Sequence, residues 1–140
     1  LSTLAQIRSA VKTTVTAAIP SLFGYDQVAD VVHLPAIVVI PDNTDFNVAM
    51  GRGTDTHTLN IYVLASRRDS GLAQTELDKY VTGGGSFSIR QAIAAAPSLG
   101  LSDSHAHVSG MRGYGGSFSV GDQDHVGAIL TLVVHTSGVS

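Results

Sequence analysis

The chain has 140 residues, a formal charge of −3 and no cysteine. That length suits one domain with its own core, because a chain of this size buries roughly two-thirds of its unfolded surface. The cysteine count excludes thiol catalysis, cysteine-ligated zinc and disulfide chemistry within these residues, and fits synthesis in a reducing cytosol. Charged residues make up 14% of the chain, against roughly 25% in an ordinary soluble domain. Much of the surface is therefore small polar and aliphatic, which suits burial against copies or partners. The eight Lys and Arg are scattered, so a grip on nucleic acid through counterion release is not expected. No apolar run is longer than Ala36 to Ile40, which is closed by Pro35 and Pro41 and is far short of the ~18 residues of a membrane span. The start lacks a basic segment followed by an uninterrupted apolar one, so no signal peptide is expected.

Leu4, Ile7, Val11, Val15, Ala18 and Ile19 recur at three and four residues and predict a first helix. Thr3 with Gln6 forms a capping box at its start, and Pro20 closes it. Residues 24–32 read as a loop or a short strand. Leu34 to Ile40 reads as a strand apolar on both faces, covered by a helix on one side and a neighbouring surface on the other. The polar segment Pro41 to Thr54 reads as a long loop. His57 to Ala65 then alternates, with Leu59, Ile61, Val63 and Ala65 on one face and Thr58, Asn60 and Tyr62 on the other.

Ser66 to Gly100 reads as a two-helix cassette between two pairs of strands. Its first helix runs from Asp69 to about Val81, with Leu72, Leu77, Tyr80 and Val81 facing a core. A hinge at Gly83-Gly84-Gly85 follows, and then a second helix ending at Pro97, with Ser88 and Gln91 as its capping box. Phe87, Ile89, Ile93 and Ala96 form its apolar side. Ser104 to Val120 reads as a strand entering a glycine-rich hairpin tip at Gly110 to Gly116. The last strand, His125 to Thr136, alternates Val126, Ala128, Leu130, Leu132 and Val134 inward. The expected order is helix, strand, strand, helix, helix, strand, strand. This is a single α+β domain over residues 1–140, with an antiparallel or mixed sheet of about four or more strands and the helices mainly on one face.

The residues that carry chemistry do not form a motif. His105 and His107, two apart on a strand, share a face and are suited to a transition metal with His57, His125 or His135 as a third ligand. HxH alone is unspecific, and an exposed or interfacial strand face is the ordinary alternative. Neither glycine run is followed by the Lys and Ser or Thr of a phosphate loop. No serine has the strand-to-helix elbow of a hydrolase nucleophile. The only glutamate, Glu76, lies beside Asp78 and Lys79 on a helix, where a solvated face explains it. No catalytic residue, metal ligand or cofactor is therefore assigned. The segment Asp42 to Asp55 reads either as a plain surface loop or as a docking loop. In the second case Phe46 and Met50 dock on a neighbour while Arg52 or Asp55 makes a cross-subunit pair.

Gly51-Arg-Gly-Thr-Asp-Thr-His-Thr-Leu, Arg68-Asp69 with Leu77-Asp78, Gly83 to Ser88 before Ile89, Pro97-Ser98-Leu99-Gly100 and the closing Val126-Gly127-Ala128 strand stand in a particular order and spacing. Together they resemble the tail terminator proteins of phages with long noncontractile tails, those infecting actinobacteria above all, over residues 4 to 135. The resemblance implies a virion structural protein, made in the host cytoplasm and placed at the head-tail junction. It implies a homo-oligomeric ring, expected to be a hexamer, that caps the tail tube and joins it to a neck or head-completion protein. Genomic DNA would pass through the lumen without specific binding. No enzyme activity is implied. The expected contact residues are Asp45, Phe46, Met50, Arg52, Asp55, Arg67, Arg68, Arg112, Tyr114 and Phe118. A neck adaptor or head-closure protein is the nearby alternative, and a small metal-binding protein or enzyme using His105 and His107 is the alternative of another class.

Overall fold

The computed structural model describes residues 4–20, 22–25, 36–49, 52–67, 73–82, 88–101, 104–120 and 123–137. In chain order the elements are α1 (Leu4–Ala18), β1 (Phe23–Tyr25), β2 (Ala36–Ala49), β3 (Arg52–Arg67), α2 (Ala73–Val81), α3 (Ile89–Ala95), β4 (Ser104–Val120) and β5 (Gln123–Ser137). They build an α+β fold around a five-stranded sheet of order β1-β2-β3-β5-β4. β1 joins β2 in parallel and every other neighbour is antiparallel. Thr3, Leu72 and the Gly83–Gly85 hinge, like Phe87, lie outside the described residues.

One core lies on one face of the sheet. Ile37 and Val39 of β2, Leu59, Ile61 and Val63 of β3, and the alternate residues Ala128 to Val134 of β5 meet all three helices there. Period-two alternation delivers these positions to one side. α1 supplies Ile7, Val11 and Val15, with Ile19 just beyond its end, while Leu4 and Ala18 of the expected stripe are exposed. α1 packs on β1, β2 and α3, and a Cβ on Gly24 would stand 2.5 Å from Lys12 Cγ and 2.8 Å from Thr16 Cγ2. The missing side chain is thus what lets β1 run against the helix. Both parities of Ala36–Val39 are buried within the single chain, so the second side of that strand needs no neighbouring subunit to cover it.

Ser88 joins the two central helices. Its Oγ accepts from Gln91 N at 3.2 Å, capping α3, and donates to the carbonyl of Thr82 just after α2. The residue is buried, so Ser88→Ala leaves a helix-end N–H and a carbonyl without these partners. It is expected to cost ~1–2 kcal/mol, read as a lower denaturant midpoint at unchanged slope.

Two expectations are corrected. Residues 42–49 and 52–55 are strand, not a structureless loop: β2 and β3 stay paired from Ala36↔Leu64 to Ala49↔Arg52. The register shifts once between Pro41 and Asn43. Proline is tolerated there because a bulge absorbs it and because, among the described residues, β1 pairs β2 only over Ala36 to Val38. Gly110 to Gly116 is likewise no hairpin tip. It lies within β4, whose register with β5 shifts between Val108 and Gly110 and again between Arg112 and Gly116. Gly113, at φ 66°, supplies the left-handed backbone of the second irregularity. The hairpin closes later, beyond Val120↔Gln123.

Candidate interaction surface

The main strands have 14 to 17 residues, against the five or six of a typical strand. Among the described residues the helices pack over their middle. Leu59, Ile61, Val63, Leu132 and Val134 are fully buried, whereas Asp42 on β2 and Met111, on the helix side of β4, are exposed. At one end the β2-β3 hairpin continues past Thr54↔Ser137, the last pair that β3 makes with β5. At the other end the β4-β5 hairpin continues past Arg67↔His125, where β3 stops. The two hairpins therefore overhang the packed centre in opposite directions.

The expected contact residues divide between these ends. Asp45, Phe46, Arg52 and Asp55 belong to the β2-β3 end, where Asp45 pairs Thr56, Phe46 pairs Asp55 and Arg52 pairs Ala49. Arg67 and Phe118 both pair His125 at the other end, which brings them into one row. Tyr114 lies in the second β4 irregularity, and Met50 and Arg68 lie outside the described residues. Asp55 is half-buried and its carbonyl accepts from Thr136 Oγ1 at 3.4 Å. Arg112 reaches over β5 and donates from Nη2 to Asn60 Oδ1 at 3.1 Å. It fixes the sheet within the subunit while its remaining surface stays exposed. The sequence held no sign of this bond, since the partners are far apart along the chain and meet only through register.

The histidines separate by face. His105 and His107 are exposed on the face away from the helices, and His135 lies opposite His105. The rings of His107 and His135 stack with centroids 6.0 Å apart, and His135 Nδ1 is 3.1 Å from Thr56 Oγ1. Among the described residues no three metal-ligating side chains form a group. His57, one of the three expected third ligands, is on the other face, in the core. Its Nδ1 is 2.8 Å from Thr44 Oγ1 and its Nε2 is buried without a hydrogen-bond partner among the described residues. Burial lowers its pKa below the usual histidine value, and the charge of Asp55 opposes that shift. His125 belongs to β5 at the opposite end of the sheet from His105.

Two hollows are lined by described residues. A broad groove between α1 and the Leu99–Leu101 turn is lined by Ala5, Gln6, Ser9 and Ala10 and carries no ionisable side chain. A smaller notch beside β4 is lined by Val81, Arg90, Val108, Met111 and Leu130. Neither places a nucleophile beside a base. No protein-family model matches the chain, and no curated protein matches it.

Proposed function

We propose that the chain is a tail terminator of a phage with a long noncontractile tail. It would be a virion protein that assembles into a ring, caps the finished tail tube and joins it to the neck of the head. The observation that carries this reading is the sheet whose strands outrun their helical cover and end in two oppositely directed hairpins. Strand ends beyond the core contribute little to folding the subunit and are suited to meeting neighbours. The low charge supports the reading, since a ring buries much of each subunit's surface. The resemblance supplies the tube and the neck as partners.

The reading is tested on tail tubes grown without heads. Labelled protein is expected at one end of each tube, and its addition is expected to stop elongation. Binding only to heads would instead favour a neck adaptor or head-closure role, and binding to neither would contradict both.

A further inference from the structure

Among the described residues the sheet presents two long open edges on opposite sides. On one, β2 passes beyond β1 after Val38, and among the described residues Asp42 to Ala49 has only β3 as a backbone partner. On the other, β4 is the outermost strand. Its outward side is engaged at Ala106, whose N–H donates to Pro97 O at 2.7 Å, and no such bond follows among the described residues from Val108 to Val120. Open edges are normally blocked by Lys, Glu or Pro. β4 has none of these in its 17 residues, and its single charge is Arg112.

The two edges are complementary. β2 carries Asp42 and Asp45 and no basic residue, whereas β4 carries Arg112 and no acidic one, with the exposed Arg90 beside it. Pairing of either edge with its own kind brings like charges together, and pairing of one with the other does not. Strand direction agrees: β2 and β4 run oppositely in the sheet, so extending the sheet from one copy to the next makes an antiparallel ladder. The helix-side face of β4 also holds the notch, about 130 Å³ in volume with Met111 44% exposed at its rim. That is about the space that takes one aromatic ring. Phe46 stands two residues beyond Thr44 on β2, in register with Asp55 on the strand parity of His57, which belongs to the same helix-side face.

Resting on the reading that the chain assembles with itself, we propose that copies join head to tail by strand addition. The Asp42–Ala49 edge of one copy pairs with the Val108–Val120 edge of the next, with the register position of Phe46 set against the notch beside Met111. Main-chain bonds supply affinity, and the notch with the opposed charges sets register and direction. Because the two surfaces differ, the contact is heterologous and closes into a ring when its rotation permits.

The test uses one variant per edge, Met111→Lys for β4 and Asp45→Lys for β2, with Phe46→Lys as a second β2 variant, each required to keep the wild-type circular dichroism. By light scattering, each variant alone is expected to remain a monomer at concentrations where the wild type assembles. An equal mixture of a β4 and a β2 variant is expected to give a dimer that grows no further, since it retains one intact contact. Folded variants that assemble like the wild type would overturn this contact while leaving self-assembly standing. A wild type that never self-associates would overturn both.

Discussion

Tyr80→Ala is expected to destabilise the subunit by ~3–5 kcal/mol, the range for removing a buried aromatic side chain. Against total stabilities of ~5–15 kcal/mol, that leaves a chain near its folding threshold. Tyr80 is fully buried and stands three residues after Leu77 on α2, so the two side chains share one helical stripe. α2 packs across β3 and β5 and touches β4 and α3, so a cavity at Tyr80 loosens the helix at the centre of the sheet. The neighbouring Lys79 ammonium lies 5.3 Å from the ring centroid, a cation-π contact that is also lost. Tyr80→Phe keeps the ring and is expected to cost much less. Denaturant unfolding of the two variants checks the difference.

Acidification is expected to destabilise the chain through His57. The folded state holds this imidazole neutral, because burial lowers its pKa, while the unfolded chain protonates it near the ordinary value of about 6.5. Below that value the unfolded state therefore binds more protons, and stability falls as pH falls. At neutral pH and above, this contribution is fully present. Protonation in place would put a charge on a ring whose Nε2 has no hydrogen-bond partner among the described residues; Asp55 offsets only part of that cost. Melting temperatures measured from pH 8 to pH 5 are expected to decline below about pH 6.5. His57→Leu is expected to flatten that decline and change the neutral-pH value little, since the half-buried Thr44 hydroxyl can turn toward water. An unchanged acid slope in His57→Leu would show that other groups carry the effect.

Local pattern explains what was readable beforehand. Ile7, Val11, Val15 and Ile19 of the α1 stripe, the alternation of Leu59, Ile61 and Val63, the inward residues Ala128 to Val134 of β5 and the Ser88 cap each follow from a period or a motif within one segment, and the structure has them. The two misread segments share a different cause. Asp42 to Asp55 is rich in Asp, Asn and Gly, which disfavour strands on their own, yet Thr44, Phe46 and Val48 recur at the strand period and β3 pairs the whole stretch. Gly110 to Gly116 resembles a turn by composition, but β5 continues alongside it and two register shifts absorb the irregularity. Pairing between distant segments overrode propensity in both places. That same pairing turned an expected loop into strand, so the contact proposed for Asp45 and Phe46 is one between strand edges. The Arg112–Asn60 bond and the separation of His57 from His105 and His107 depend on register and face, which no short window of sequence contains.

The central claim, that this sheet builds a closed ring, is tested most directly by imaging the purified chain by negative-stain electron microscopy over a range of concentrations, with mass measured in parallel. Closed rings of uniform size with an open lumen, at a mass that is a fixed multiple of the subunit, are the predicted result. A monomer at the highest concentration reached, still without rings when tail tubes are added, would contradict it.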